Sequence, residues 1–193
     1  MRLFVAVDVD AAARAALAAQ QQQLRTIATG SLRWVRPEHL HITLVFLGEV
    51  PDDRATGVIE AYAQPAPVAA FDLAFRGIGV FPPRGAPRAL WIGVAVGEGE
   101  LAHLQQVMTD RASRLGIALE ARAFSPHLTI ARWKDSRPSD RQRVTSLAAS
   151  TGSARDADIA RVRVARATLY RSLLSSAGPT YTALAHVTLA ASR

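Results

Sequence analysis

The sequence predicts an α+β fold built from antiparallel sheets, and three observations support this prediction. Strand patterns outnumber helix patterns along the 193 residues. Two of the strand patterns contain a His-x-Thr motif, and a helix pattern follows each of them. The second motif begins 86 residues after the first, a little under half the chain. We therefore expect two similar half-domains that share one cleft.

The first third of the chain alternates strand and helix patterns. Apolar residues at 3–7 predict a buried first strand, and the Ala-, Gln-, Leu- and Arg-rich stretch 11–27 predicts a helix ending near Gly30. The β-prone segment 32–35, which precedes a proline, predicts a short extended piece. Residues 40–47 predict the first motif strand. A proline and two aspartates at the start of 51–62 favour a second helix.

The middle of the chain contains the segments richest in proline and glycine. Two prolines predict a connector at 63–68, and alternation predicts a strand at 71–75. The glycines and prolines of 77–87 predict a loop. An apolar strand is predicted at 88–96, and helical spacing of apolar residues predicts a helix at 98–115.

The last third begins with the second motif. We expect a strand at 117–123, a motif strand running to Trp133 and a helix at 139–149. Alternating apolar and arginine residues predict one half-exposed strand at 159–169, followed by a turn at Gly178-Pro179 and a last strand at 181–189. No linker is long enough to separate independent domains, so residues 1–193 are expected to form a single domain.

The composition narrows the function classes. The formal charge of +7 at pH 7 favours anionic partners such as RNA or nucleotides, although a solvated basic surface explains it equally well. All but one of the 23 basic residues are arginines, which bind phosphate in a bidentate manner. The absence of cysteine excludes disulfides, thiolate catalysis and cysteine zinc sites, and a cytoplasmic location is expected. The short apolar N-terminus predicts neither a membrane span nor a signal peptide.

The repeated motif is the candidate for chemistry. Its copies read His41-Ile42-Thr43-Leu44 and His127-Leu128-Thr129-Ile130. In a strand, His and Thr of one copy share a face about 7 Å apart, so both can reach one phosphate-sized anion. Two imidazoles with pKa values near 6.5 can serve as acid and base on a phosphate ester, while threonine hydroxyls donate to its oxygens. A single His-x-Thr is usually a packing feature, but two copies in matching surroundings favour catalysis.

Other polar and aromatic residues leave alternatives open. Arg132 follows His127 by an odd number of positions, so it reaches the phosphate only if the strand twists or bulges. His39 lies at the cleft edge or is simply exposed, the second being favoured, and His103 and His186 are structural or surface residues. One of Trp34, Trp91 and Trp133 could stack on a base, while core packing is the default for each.

A metal site is the main rival to acid–base catalysis by the two histidines. His39, His41 and His127 are numerous enough to be ligands. However, neither motif contains Asp or Glu, the chain has no cysteine, and the His-Glu-x-x-His spacing is absent. We therefore expect no metal.

The paired motifs and their surroundings resemble the two-histidine (2H) phosphoesterases. Within them the chain is most similar to the RNA 2′,3′-cyclic phosphodiesterases, also called 2′-5′ RNA ligases (LigT-like). Further similar segments occur in the family's order, at 1–6, 33–38, 46–50, 79–82, 87–91 and 126–132. His39 departs from the family, which usually has Asn there.

The resemblance implies two pseudo-symmetric lobes whose antiparallel sheets line a central cleft, with helices outside. It implies hydrolysis of 2′,3′-cyclic phosphate ends of RNA to 2′-phosphates without metal or cofactor, and 2′-5′ ligation as the reverse reaction. A monomer is the default expectation, and tRNA fragments are one of several substrates that fit this chemistry. His41 is expected to be the base and His127 the acid, with Thr43 and Thr129 holding the phosphate. The alternative is an RNA- or nucleotide-binding module with little catalysis.

An ATP-dependent ligase is a third class of function, and the sequence argues against it. Lys134, the lone lysine, lacks the Lys-x-Asp-Gly pattern of nucleotidyl transfer, and no phosphate-binding Gly-x-x-x-x-Gly-Lys loop occurs. ATP should therefore not be needed.

Overall fold

A computed structural model describes residues 1–27, 32–121, 123–150, 157–176 and 178–191. The first half of the described chain contains β1 (Arg2–Asp8), α1 (Ala11–Ile27), β2 (Leu32–Trp34), a 3₁₀ turn (Pro37–His39), β3 (His41–Glu49), α2 (Asp52–Ala63), β4 (Ala66–Ala69), β5 (Phe71–Phe81) and β6 (Ala89–Val96). The second half contains α3 (Glu98–Arg114), β7 (His127–Trp133), α4 (Pro138–Ser150), β8 (Ala160–Val164), β9 (Arg166–Ser175) and β10 (Gly178–Ala190).

Two five-stranded sheets form the framework. The first has the order β3-β1-β9-β10-β4 and the second has the order β2-β7-β6-β5-β8. All neighbouring strands pair antiparallel except β10 and β4, which are parallel. Each sheet therefore contains one motif strand, β3 or β7, and these two strands contact each other. The predicted α+β class with two motif-bearing lobes is confirmed.

Helices cover one face of each sheet and leave the other face for the cleft. Helices α2 and α3 contact strands of the first sheet, whereas α1 and α4 contact strands of the second. On β1, Leu3, Val5 and Val7 belong to the core under the helices. The intervening Phe4 has the opposite orientation and contacts the ring of His41. Alternation along the strands thus separates a core face from a cleft face.

Two segments predicted as irregular contain strand. The connector 63–68 includes the start of β4, which tolerates Pro67 because it lies at the edge of its sheet. The predicted loop 77–87 overlaps β5, which continues to Phe81. Gly79 lies in this extension, and a Cβ atom at this position would lie 2.2 Å from the indole of Trp91. Glycine here therefore allows close packing between strands rather than marking a loop.

Three other sequence predictions need correction. No strand forms among the described residues of 117–123; Ile117 and Leu119 pack on the core without a ladder partner. The single strand predicted at 159–169 is two strands, because β8 pairs with β5 in the second sheet while β9 joins the first. Gly178 begins β10 rather than only forming a turn. Gly30, the predicted helix stop, lies outside the described residues.

The remaining predicted elements agree with the structure to within about two residues at most boundaries. No described helix is both long enough and apolar enough to cross a membrane.

Candidate active site

A β-bulge in the first motif strand determines which side chains share the cleft face. In the pairing of β1 with β3, Val5 lies opposite Val45 and the next residue, Ala6, lies opposite Thr43, so Leu44 is an extra residue. Both Leu44 and Val45 are buried, and Phe46 is 62% exposed. The bulge therefore places Phe46 on the same face as His41 and Thr43.

The second motif strand has the same bulge 86 residues later. Trp91 lies opposite Thr129 and Leu90 lies opposite Ala131, so Ile130 is the extra residue. Both Ile130 and Ala131 are fully buried, whereas Arg132 is exposed. A straight strand would turn Arg132 away from His127. The bulge instead brings it to the face of His127 and Thr129, the exception that the sequence analysis had named.

Each catalytic candidate imidazole is held in the same way. The Nδ1 atom of His41 lies 2.7 Å from the carbonyl oxygen of His39, and the Nδ1 atom of His127 lies 2.7 Å from that of Ser125. Because a carbonyl only accepts, each ring must donate its Nδ1 proton. The Nε2 atom of each ring is thereby left to accept or donate a proton in the cleft.

Arg132 connects the two motifs electrostatically. Burial is the main cause that lowers the pKa of His41 and of His127, and the backbone hydrogen bond of each ring opposes it. The positive charge of Arg132 further lowers both pKa values. Burial raises the pKa of Tyr181 on the first sheet, and Arg132 reduces that rise. One guanidinium of the second sheet therefore affects ionisable groups of both sheets.

Asp8 makes the surroundings of the two histidines unequal. It lies opposite His41 in the β1–β3 ladder and raises the pKa of that ring. Its carboxylate accepts hydrogen bonds from Tyr170 Oη at 2.6 Å and Thr168 Oγ1 at 2.7 Å. At the corresponding place beside His127, the β6 partner is Gly93. Within the part of the chain that the structure describes, strand pairing thus places a carboxylate beside the first imidazole and a glycine beside the second.

Aromatic rings form the walls around both imidazoles. On the first sheet, ring centroids of Phe4 and Tyr181 lie 5.2 Å and 5.5 Å from that of His41. On the second sheet, Phe81 approaches His127 edge-on at 4.8 Å, and Trp91 lies 6.2 Å away. The cleft therefore has partly apolar sides, which is consistent with the burial that lowers both histidine pKa values.

The other three histidines and two of the three tryptophans lie away from the two motif imidazoles or serve in packing. His39 lies in the 3₁₀ turn, not on the motif strand, and its ring packs against Tyr181 at 4.8 Å. His103 is exposed on α3, and His186 lies 3.2 Å from Thr168 Oγ1. Trp133 is 8% exposed in the core, and Trp34 packs against the core with Arg25 over its ring at 5.2 Å. Of the three tryptophans, Trp91 is the one beside a motif histidine.

Sequence reasoning missed three residues of this face. Asp8 comes directly after the predicted first strand. Arg33, which is exposed, pairs with Arg132 in the β2–β7 ladder. In the predicted strand 40–47, alternation without a bulge would turn Phe46 away from His41. A signal for it existed, because Phe46 and Arg132 are separated by the repeat distance and hence occupy equivalent positions. Within the described ranges, no three His, Asp or Glu residues form a group suited to a metal ion.

Comparisons with known proteins find relatives that match most of the chain. A family model described as LigT like Phosphoesterase matches residues 7–91 and again residues 92–181. An RNA 2′,3′-cyclic phosphodiesterase of Archaeoglobus fulgidus is 38% identical over 72% of this chain and 76% of its own. A second, from Methanothermobacter thermautotrophicus, is 32% identical over 94% of this chain and 95% of its own.

Solved structures show the same fold. A Thermus thermophilus protein superimposes with a TM-score of 0.77 at 29% identity, covering 100% of both chains. The structure of E. coli LigT complexed with 3′-AMP matches with a TM-score of 0.73 at 23% identity, covering 97% of each chain.

Proposed function

Because the chain belongs to the LigT-like phosphoesterase family, we propose that it hydrolyses 2′,3′-cyclic phosphate ends of RNA to 2′-phosphates. The observation that supports this most is geometric: equivalent bulges at Leu44 and Ile130 leave His41, His127 and Arg132 on the cleft faces of two strands that contact each other. A single phosphate between the two motifs would then meet two imidazoles, two threonines and one guanidinium. Strands from both ends of the sequence complete the first sheet, so we also propose that residues 1–193 act as one unit.

The proposed mechanism assigns one proton transfer to each imidazole. Nε2 of His41 takes a proton from water as the water oxygen bonds to phosphorus. The bond from phosphorus to the 3′ oxygen breaks, and Nε2 of His127 gives its proton to that oxygen, leaving a 2′-phosphate. Asp8 supports the assignment of His41 as base, because a nearby carboxylate stabilises the imidazolium that forms as the base accepts its proton.

Charge on the phosphate is balanced by protein groups in this proposal, without a metal ion or cofactor. Thr43 and Thr129 donate hydrogen bonds to the non-bridging oxygens, and Arg132 supplies charge-assisted bonds to them. Arg33, the exposed neighbour of Arg132 on β2, adds positive charge for the next phosphate of an RNA strand.

We further propose that Phe46 receives a nucleobase. This residue is 62% exposed on the same face as His41 and Thr43, although a large apolar side chain gains by burial. Stacking on an aromatic ring accepts every base, which suits an enzyme that acts on RNA ends of varied sequence, such as tRNA fragments.

The direct test is hydrolysis of 2′,3′-cyclic AMP and of an oligonucleotide with a cyclic end, both in the presence of EDTA. We expect a 2′-phosphate product and no 3′-phosphate. His41→Ala and His127→Ala should each lower turnover by roughly 10²–10⁴-fold. His103→Ala, which alters an exposed histidine on α3, is the matched control and should retain full turnover. Folded wild-type protein that forms no product, or only product that requires a metal, would contradict the proposal.

The same cleft permits ligation, in which a 5′-hydroxyl takes the place of water as the nucleophile and the bond from phosphorus to the 3′ oxygen again breaks. We propose that joining of a cyclic end to a 5′-hydroxyl proceeds without ATP, because the cyclic phosphate is itself the activated group. A binding module with little catalysis is the competing function. Tight binding of a 2′-phosphate together with no hydrolysis between pH 5 and pH 9 would favour it.

A further inference from the structure

Gln21 is a buried polar side chain that the proposed chemistry does not use. It lies on α1 and is 2% exposed. Its amide nitrogen donates to the carbonyl oxygens of Val35 and Ile130, each at 2.9 Å. A buried amide is costly unless its hydrogen bonds are satisfied, so these two contacts define a specific docking point for α1.

One of the two acceptors is the bulge residue of the second motif strand. Ile130 is the extra residue of β7 relative to β6. Its carbonyl oxygen accepts the backbone N–H of Val35 at 2.9 Å as well as the amide of Gln21. A bulge leaves backbone groups outside the regular ladder, and these must find other partners. The carbonyl of Ile130 faces β2, where Val35 continues the β2–β7 register, and Gln21 is its second partner, from a helix outside the sheet.

The bulge in turn decides the direction of Arg132. With it, Ile130 and Ala131 both enter the core and Arg132 returns to the face of His127 and Thr129. Removing one residue from the bulge would reverse every side chain beyond it. Trp133, which is 8% exposed, would then leave the core, and Arg132 would point into the core.

We propose that Gln21 is a positioning residue for the phosphate site: its amide holds the Ile130 bulge and so keeps Arg132 on the cleft face. The role in catalysis rests on the proposed function, whereas the placement of Arg132 does not. The helix α1 thereby acts on the active site from the opposite side of the sheet, without contacting substrate.

The first experiment needs no substrate. Gln21→Met keeps the length of the side chain and removes the donor, and the imidazoles of His41 and His127 are titrated by NMR in the ligand-free protein. Arg132→Ala should raise both histidine pKa values, because the arginine lowers them. Gln21→Met should move both in the same direction. The double variant Gln21→Met/Arg132→Ala should match Arg132→Ala alone, since the arginine is the only route for the effect.

The control is Tyr62→Phe, which also removes a buried hydrogen bond to a backbone carbonyl, that of Met108 at 2.8 Å. It should leave both titrations unchanged, although it lowers stability. If Gln21→Met does not fold, Gln21→Asn retains an amide that is one methylene shorter and serves the same comparison. Unchanged titrations in the Gln21 variants, or equal shifts in Tyr62→Phe, would overturn the proposal.

Binding supplies the second readout. Loss of a charge-assisted hydrogen bond costs about 1.5–3 kcal/mol, so the Kd for 2′-AMP should rise roughly 10- to 100-fold in Arg132→Ala and by up to that factor in Gln21→Met. The two factors should not multiply in the double variant. If they multiply, Gln21 acts independently of Arg132 and the proposal is wrong. If wild-type protein binds 2′-AMP but hydrolyses no cyclic phosphate, the proposed function fails while this comparison remains valid.

Discussion

Replacing the carboxylate beside His41 separates the roles of the two imidazoles. Asp8 lies opposite His41 in an antiparallel ladder, in which the Cβ atoms of facing residues are roughly 4.5–5.5 Å apart. At an effective dielectric constant of about 20–40, unit charges roughly 6–7 Å apart interact by about 1–2.5 kcal/mol. Asp8→Asn should therefore lower the pKa of His41 and leave the pKa of His127 nearly unaffected, because the ladder partner of His127 is Gly93.

The pH dependence of kcat/KM converts this shift into a test of roles. A base must be neutral to act, so the acidic limb of a bell-shaped profile reports its pKa. If His41 is the base, Asp8→Asn should move the acidic limb to lower pH and lower the maximal rate about 3- to 10-fold, because a weaker base takes the proton less readily. The profile is measured with 2′,3′-cyclic AMP from pH 4 to pH 10, and NMR titration of His41 in the same variant assigns the limb.

The control for this substitution is Tyr170→Phe. It removes one hydrogen bond to Asp8 but keeps the negative charge, so the acidic limb should move far less than in Asp8→Asn. A basic limb that moves in Asp8→Asn would show that His41 is the acid and His127 the base. A profile in which neither limb moves would refute the electrostatic role of Asp8 altogether.

Three further predictions concern the cleft and its support. Arg132→Ala should raise KM for the cyclic substrate roughly 10- to 100-fold, because a charge-assisted hydrogen bond is lost, and Arg132→Lys should recover part of the affinity. Steady-state kinetics at two salt concentrations test this prediction, and an unchanged KM in Arg132→Ala would contradict it. Phe46→Ala should weaken binding of 2′-AMP by about 1–3 kcal/mol, measured by calorimetry, without loss of thermal stability, whereas Phe46→Trp should retain binding. Equal affinities of the wild type and both variants would exclude stacking. Gly79→Ala should lower the free energy of unfolding in urea by about 1–3 kcal/mol, because the new Cβ would lie 2.2 Å from the indole of Trp91. Gly57→Ala, at a position in α2 with open space around it, should instead stabilise by about 0.5–1 kcal/mol, and a reversed order of the two glycine variants would contradict the packing argument.

Hydrophobic patterns predicted most of the helices and strands, because apolar residues recur about every 3.6 positions in a helix and every second position in a strand. The buried face of β1, the helix over Ala11–Ile27 and the motif strands were all evident from alternation or helical spacing. Patterns failed where partners decide. Ala66–Ala69 is a strand only because β10 offers an edge beside it, and 159–169 divides into β8 and β9 because its two parts pair with different sheets. No local signal marks a change of sheet.

The candidate site shows the same division. The repeated motif was enough to select His41, Thr43, His127 and Thr129 from the sequence. The family resemblance that rests on this motif is confirmed by the matching family model. Arg132 was a conditional candidate, since its direction depends on a bulge. Asp8 reaches His41 only because β1 and β3 pair in one register, and its hydroxyl partners are about 160 residues away in the sequence.

The order of residues by itself determined which groups this protein has for chemistry and which of them share a strand face, because side-chain alternation is a property of the local backbone. Tertiary structure alone decided where that alternation is interrupted and what lies across each ladder. The direction of Arg132 depends on backbone groups that Val35 and Gln21 satisfy from other elements, and the charge beside His41 depends on strand pairing. Such choices come from satisfying buried hydrogen bonds and filling one common core, which no single segment can do alone.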